Sequence, residues 1–211
     1  MAKRTLVIGD KNLSSWSLRP WLALKQAGVP FDEELVMLYQ PDTAARIARF
    51  SPTGRVPVLV DGDLTVWESL AICEYAAELA PEARLWPADR AVRAEARAVA
   101  TEMHGGFAEL RRLMAMNITK RLPRPAATPQ LDADIGRILA LWQGTRARHG
   151  KGGPFLFGHF TVADAMYAPV TTRFTTYGVP LPAPVQAYVD AVRALPAMQE
   201  WAAAAALEPA K

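Results

Sequence analysis

Residues 55–68, RVPVLVDGDLTVWE, constrain the fold of this chain more than any other stretch. Two runs rich in β-branched and leucine side chains, 56–60 and 64–66, are joined by Asp61-Gly62-Asp63. Asp-Gly is a favoured turn in a β-hairpin. The chain therefore has to contain an antiparallel strand pair here, and its fold has to include a sheet.

Pro57 lies inside this strand pattern, where proline would remove a ladder hydrogen bond. The conflict predicts an edge strand with a cis Val56–Pro57 peptide bond, since X-Pro bonds tolerate the cis form. The backbone of Val56 could then pair with an extended peptide. Glu68 and Ser69 follow at the first turn of a predicted helix, where free N–H groups suit a carboxylate.

The periodicity around the hairpin divides the chain into two domains. Before residue 80 it predicts a strand, a helix, a strand, a short helix, the hairpin and a helix, which makes an α/β domain over 1–80. Two prolines, Pro81 and Pro87, mark a linker over 81–89. From 90 to 211 the patterns are helical throughout, with one long helix over 90–117 that Gly105-Gly106 could bend.

Composition narrows the class of protein and its partners. Hydrophobic residues are 51% and charged residues 21% of the 211, as in a soluble globular protein, and the net charge of +3 is too small to argue for nucleic acid. The single cysteine, Cys73, excludes an internal disulfide and a multi-cysteine metal site. No window approaches the ~20 apolar residues of a membrane span. We expect a cytoplasmic protein without metal, membrane or nucleic-acid partners.

Residues 10–28, DKNLSSWSLRPWLALKQAG, place three serines around Trp16 at the start of a predicted helix. Serine is a favoured helix N-cap, so Ser14 read alone predicts a cap. The same hydroxyls could also donate to a bound molecule, and both interpretations stay open at this point.

Together these features resemble the cytosolic glutathione transferases. The resemblance rests on the order of elements, on GRVPVLV with its proline, on the following WESLAICEY, and on the all-helical second half. The serines resemble the serine-type classes, above all the zeta group that includes maleylacetoacetate isomerases. Where that group has Ser-Ser-Cys-Ser, this chain has Trp16 at the cysteine position. The implied fold is a thioredoxin-like domain followed by an all-α domain.

The resemblance also implies roles for individual residues. Val56, beside Pro57, would pair with the cysteinyl part of glutathione, while Glu68 and Ser69 would hold its γ-glutamyl ammonium and carboxylate. Ser14 would be the catalytic hydroxyl facing the sulfur, with Ser15 or Ser17 as alternatives. Further implied residues are Ser15 and Gln40 for glutathione, and Met103, His104, Phe107, Met114, Asn117 and Arg173 for the electrophile pocket.

Such a site needs no metal or acid–base pair, because its task is to ionise a thiol. A thiol with a pKa of ~8.5 is only a few per cent thiolate at neutral pH. One charge-assisted hydrogen bond is worth roughly 1.5–3 kcal/mol, enough to lower that pKa by ~1–2 units. The expected protein is a glutathione transferase with glutathione as co-substrate, and family resemblance implies a homodimer.

Three other functions remain open. A glutathione-dependent isomerase of maleyl-type acids would depend on pocket arginines. A glutaredoxin-type reductase would need a cysteine at the sulfur site, where this chain has Ser14 and Trp16. A transferase-like interaction or ligand-binding module would not need Val56, Pro57, Glu68 and Ser69 together.

Overall fold

The computed structural model describes residues 4–209 and contains a small α/β domain followed by helices. The α/β domain consists of β1 (Arg4–Gly9), α1 (Ser15–Gln26), β2 (Asp32–Val36), α2 (Thr43–Ala48), β3 (Val58–Asp61), β4 (Leu64–Trp67) and α3 (Ser69–Leu79). A short 3-10 turn at Pro81–Ala83 precedes α4 (Arg90–Gly105), α5 (Ala108–Leu113), α6 (Pro129–His149), α7 (Val162–Thr176), α8 (Ala183–Arg193) and α9 (Pro196–Ala206).

The four strands form one mixed sheet in the order β2-β1-β3-β4. The first pair is parallel and the other two are antiparallel. The predicted hairpin is present, but the expectation that Pro57 lies on an edge strand is wrong. β3 is an inner strand, and its pairing begins at Val58, which faces both Val7 and Trp67. The Val56–Pro57 bond is cis as predicted, and Pro57 precedes the ladder, so no ladder hydrogen bond is lost.

The two faces of β1 separate two apolar clusters, as the alternation of a strand requires. Leu6 and Ile8 belong to the main core, which continues into the helical domain without a break. Val7 points to the other face, where it packs with Ile47 of α2 and two further valines. Burial on both faces explains why β1 reads as a continuous apolar run.

The long helix expected over 90–117 is interrupted after Gly105. The backbone N–H of Gly106 donates to the carbonyl of Glu102 at 2.8 Å, and a Cβ at Gly106 would lie 2.7 Å from that same oxygen. Phe107 follows with a φ of 61°, in the left-handed region. These two residues end α4 and redirect the chain into α5, so the predicted bend is a complete break.

Contacts from α7 and α9 join the helical domain to the rest of the chain. Val162, the first residue of α7, donates its backbone N–H to the carbonyl of Leu85 at 2.9 Å. A capping box begins the same helix, in which Asp164 accepts the backbone N–H of Thr161 at 2.8 Å. From α9, Trp201 packs edge-on against Trp21 of α1 with ring centroids 5.0 Å apart. None of the helices between residues 4 and 209 combines the length and apolarity that a membrane span requires.

Candidate functional site

A cavity of about 520 Å³ lies where α3, α4 and the start of α1 meet. Its size suits a small-molecule ligand. Both domains contribute to the walls, and the lining residues are Trp16, Thr53, Arg55, Val56, Pro57, Glu68, Ser69, His104 and Gly105. The hairpin motif and the Glu68-Ser69 pair, which the sequence singled out separately, therefore meet in one place.

Ser69 is the first residue of α3, and its hydroxyl is the most distinctive polar group of this cavity. The residue is 1% exposed, and its Oγ has no hydrogen-bond partner among residues 4–209. Buried hydroxyls are almost always paired. Because the hydroxyl stands beside the free N–H groups of a helix N-terminus, it is suited to a carboxylate.

Glu68 precedes Ser69 with a φ of 70°, an uncommon conformation for a residue that has a side chain. Its carboxylate is half exposed and lies 3.7 Å from Nε2 of His104 on α4, so this contact joins the two domains across the cavity. Burial, and then the neighbouring charge of Arg19, lower the pKa of His104, while Glu68 acts in the opposite direction. The lowered pKa favours the neutral imidazole at pH 7.

Ser14 is the N-cap of α1, as its residue type predicts. Its Oγ accepts the backbone N–H of Ser17 at 3.3 Å and donates to the Ser17 hydroxyl at 2.8 Å. Ser17 in turn accepts the N–H of Gly9 at 3.0 Å. A serine has one hydrogen to donate, and here that hydrogen goes to Ser17. Ser14 is buried and does not line the cavity.

Ser15 has a different partner. Its hydroxyl oxygen accepts a hydrogen bond from Nη2 of Arg173 at 3.1 Å. Arg173 lies on α7, is buried, and also donates from Nε to the carbonyl of Met114 at 2.8 Å. Arg173 was predicted to face the electrophile pocket, but it lies behind the cavity wall and reaches the first turn of α1.

Most of the residues predicted for the electrophile pocket do not line the cavity. Met103 and Met114 have no exposed surface and belong to the core, so the expectation that they face a substrate is corrected. Phe107 packs against Tyr167 in the same core. Asn117 lies beyond α5 and accepts hydrogen bonds from Thr119 and Lys120. Only His104 of this set lines the cavity. The break after Gly105 explains the positions of Phe107 and Met114, because it turns the following residues inward. Met103 precedes the break and lies on the buried side of α4.

Gln40 is also outside the cavity lining. It lies in the exposed turn before α2, where its backbone N–H donates to the Thr43 hydroxyl at 2.9 Å. Thr53 and Arg55 line the cavity instead, on the side of Val56. Neither residue is among those predicted from the sequence, although Arg55 lies directly before Val56, which is.

Cys73 lies within α3 in the core, and burial raises the pKa of its thiol, which makes it unreactive. Over residues 4–209 there is no group of three or more histidine, cysteine, aspartate or glutamate side chains placed to hold a metal ion.

Comparison with known proteins gives two family matches, one on each side of residues 80–89. Residues 13–79 match the family model for the glutathione S-transferase N-terminal domain, and residues 90–204 match that for the C-terminal domain. The gap between them falls in the stretch that the sequence predicts as a linker.

Individual relatives agree with these matches. The chain is 32% identical over 107 residues to a probable maleylacetoacetate isomerase of Caenorhabditis elegans, covering 51% of this chain and 49% of that protein. It thus spans about half the length of that relative. It is 26% identical over 191 residues to maleylacetoacetate isomerase of Rattus norvegicus, covering 88% and 85% of the two chains. A solved glutathione transferase homologue from Burkholderia gl BGR1, with bound glutathione, superimposes with a TM-score of 0.73 at 25% identity, covering 97% and 98%.

Proposed function

The chain belongs to the glutathione S-transferase family, and on that premise we propose that it binds glutathione in the cavity between its domains and transfers the glutathione sulfur to an electrophile. The observation that carries this proposal is the Ser69 hydroxyl, buried in the cavity without a partner. A ligand carboxylate at the N-terminus of α3 satisfies both that hydroxyl and the helix.

The remaining contacts to glutathione follow from the residues around Ser69. The carboxylate of Glu68 pairs with the γ-glutamyl ammonium, and the backbone of Val56, beside Pro57, pairs with the cysteinyl part of the peptide. Arg55 and Thr53 line the same side of the cavity and suit the glycyl carboxylate better than Gln40. Opposite charges thus meet both ends of a zwitterionic peptide, and its thiol is directed towards α1.

The chemical step requires a thiolate. The glutathione thiol loses its proton to solvent, and a hydroxyl donor at the start of α1 stabilises the anion. We propose Ser14 for this role, with its hydrogen turning from Ser17 to the sulfur, and Ser15 as the alternative. The oxygen of Ser15 accepts from Arg173, so its own hydrogen remains to be donated. The sulfur then attacks the electrophilic carbon. Either a leaving group departs with its bonding electrons, or, where the attacked carbon belongs to a double bond, the neighbouring carbon receives the π electrons and takes a proton from water.

A second candidate is cis–trans isomerisation of a maleyl-type acid, in which the thiolate adds to a double bond, rotation follows, and the thiolate leaves. Two relatives named maleylacetoacetate isomerase favour it. The arginines buried behind the cavity, of which Arg173 is one, do not line it, which counts against this candidate. A carboxylate-bearing substrate would need those cations within reach.

We further propose that the protein is a cytoplasmic homodimer. Support for self-association comes from the edge strand β4, where Leu64 and Trp67 are 47% and 44% exposed. An edge strand that carries exposed apolar side chains is available to another chain, by strand pairing or by apolar packing. Sedimentation equilibrium of the wild type and of Trp67→Glu tests the dimer, and cell fractionation tests the location.

Isothermal calorimetry with glutathione tests the binding site. Ser69→Ala and Glu68→Gln should each weaken binding roughly tenfold or more, since each removes a partner of a ligand charge. Glu78→Gln changes an exposed acid at the other end of α3 and should leave the affinity unchanged. Absence of binding at millimolar glutathione in the wild type contradicts the proposed function.

A thiolate titration by ultraviolet absorbance tests the activation step. We expect the thiol pKa of bound glutathione to lie below that of free glutathione, and to rise in Ser14→Ala. If the thiol pKa rises in Ser15→Ala and not in Ser14→Ala, Ser15 is the hydroxyl that stabilises the thiolate. Equal pKa values in all three proteins would assign the effect to the N-terminus of α1.

A further inference from the structure

Three guanidinium groups converge behind the cavity wall formed by Trp16. Arg19 of α1 has no exposed surface, and none of its three nitrogens donates a hydrogen bond to any of residues 4–209. Arg111 of α5 and Arg173 of α7 each leave one buried nitrogen, Nη1, without a partner in that same part of the chain. Arginine keeps its charge in proteins, so the positive charge here is only partly offset.

The closeness of the three guanidinium groups contributes to lowered pKa values of Arg19 and Arg173. Burial, followed by the charges of Arg111 and Arg173, lowers the pKa of Arg19 well below its ordinary value. Burial and the charge of Arg111 lower the pKa of Arg173 to about 10. Arg111 is the best satisfied of the three, because it donates to the carbonyls of Met103, His104 and Gly106 where α4 ends.

Trp16 separates these cations from the cavity. Its ring centroid lies 4.2 Å from Cζ of Arg19 and 4.6 Å from Cζ of Arg111, close enough for both guanidinium groups to interact with the indole face. Trp16 itself lines the cavity, whereas Arg19, Arg111 and Arg173 do not. The ligand in the cavity therefore meets an apolar ring that contacts Arg19 and Arg111, and the charge of Arg173 acts on both of those arginines from behind.

We propose that Trp16 determines the class of electrophile that this protein accepts. With the indole of Trp16 in place, the electrophile side of the cavity suits uncharged molecules. When a substitution removes the indole, a carboxylate of the electrophile can occupy the space that the indole filled. This inference rests on the proposed function, which directs the glutathione thiol, and with it the electrophile, towards α1, where Trp16 lies. Arg55, the arginine that does line the cavity, lies next to Val56 on the glutathione side.

The selectivity follows from the energetics of charge burial. A carboxylate pressed against an apolar ring loses its water without gaining a partner, which is strongly unfavourable. The same carboxylate placed against arginine forks gains short, charge-assisted and often bidentate hydrogen bonds. The side chain at position 16 decides which of these two situations a ligand meets.

Calorimetry without glutathione tests the proposal with a matched pair of ligands, chlorodinitrobenzoate and its methyl ester. In the wild type the ester should bind at least about tenfold more tightly than the free acid, and Trp16→Ala should strengthen binding of the acid about tenfold. Trp16→Phe keeps an aromatic cover and should keep the preference for the ester. Adding Arg19→Met to Trp16→Ala should remove the gain, whereas adding Arg112→Met, which changes an exposed arginine, should not.

Two results would overturn the proposal. One is an acid that binds the wild type as tightly as the ester does, and the other is a Trp16→Ala protein that folds without gaining affinity for the acid. Circular dichroism verifies folding, and Trp16→Leu replaces the alanine variant if that variant is unfolded.

A second assay with glutathione separates this inference from the proposed function. In turnover of either ligand a carbon–sulfur bond forms, the carbon–chlorine bond breaks and chloride leaves. If Trp16→Ala changes the relative affinity for acid and ester but neither the wild type nor any variant turns them over, the result would support the role of Trp16 and count against the transferase activity.

Discussion

Arg173 and Ser15 are 158 positions apart in the sequence, and Nη2 of Arg173 donates to the Ser15 hydroxyl at 3.1 Å. The bond joins α7 of the helical domain to the first turn of α1 in the α/β domain. A buried cation is thereby held at the N-terminus of the helix that is proposed to face the sulfur. The position of the proposed thiolate site thus depends on both domains.

Replacement of Arg173 by glutamine should raise the thiol pKa of bound glutathione by about one unit, because a nearby positive charge that favours the thiolate is lost. Ultraviolet titration of the bound glutathione thiol measures the change in pKa. Arg112→Gln, which removes an exposed arginine paired with Glu109, is the matched control and should leave the pKa unchanged. An unchanged pKa in Arg173→Gln would mean that this arginine only supports the fold.

The cap at Ser14 predicts a stability change of its own. Ser14→Ala should lower the free energy of unfolding by about 1 kcal/mol, because the N–H of Ser17 loses its acceptor, whereas Ser14→Gly should cost only a few tenths. Urea denaturation followed by circular dichroism measures both variants. Equal losses in the two would show that the cap contributes little.

Glu208 holds the loop before α1 from the far end of the chain. Its two carboxylate oxygens accept the backbone N–H groups of Lys11 at 2.6 Å and Asn12 at 3.0 Å. Glu208→Ala should lower the free energy of unfolding by about 2 kcal/mol and speed amide exchange in that loop. Glu82→Ala, at an exposed acid in the turn after α3, serves as the control, and exchange that is no faster than in that control would contradict the prediction.

His104 predicts a dependence of stability on pH. Because burial and the charges of Arg19 and Arg111 lower its pKa in the folded protein, the unfolded chain binds the proton more readily. Its contribution to stability is therefore complete above the ordinary pKa of 6.5 and is lost as the pH falls below that value. Urea denaturation of the wild type and of His104→Asn over this range measures the effect. An equally steep loss in the variant would assign it to other groups.

Local patterns were sufficient to predict much of this protein. Alternation and an Asp-Gly turn located the hairpin, and helical periodicity located α1, α3 and the helices after residue 90. The position of Pro57 within a strand pattern predicted the cis Val56–Pro57 bond. These features depend on interactions between neighbours in the chain, so the sequence specifies them directly.

Side-chain direction in the helical domain could not be predicted in the same way. Met103 and Met114 were expected in the pocket because the family resemblance implies that their helix lines it, but Met103 lies on the buried side of α4 and the break at Gly106 and Phe107 turns Met114 into the core. Pro57 was expected on an edge, but strand order depends on which strands pair, and β1 pairs with both β2 and β3. Both errors concern contacts between distant segments.

Local patterns were enough to predict the two-domain organisation and to connect Val56 and Pro57 with Glu68 and Ser69, because a single hairpin separates these two pairs. The tertiary structure alone placed Arg19, Arg111 and Arg173 together behind Trp16 and joined Arg173 to Ser15. Their convergence depends on how α1, α5 and α7 pack. Burial of a shared core decides how these helices pack, so the spacing of residues along the sequence does not predict that packing.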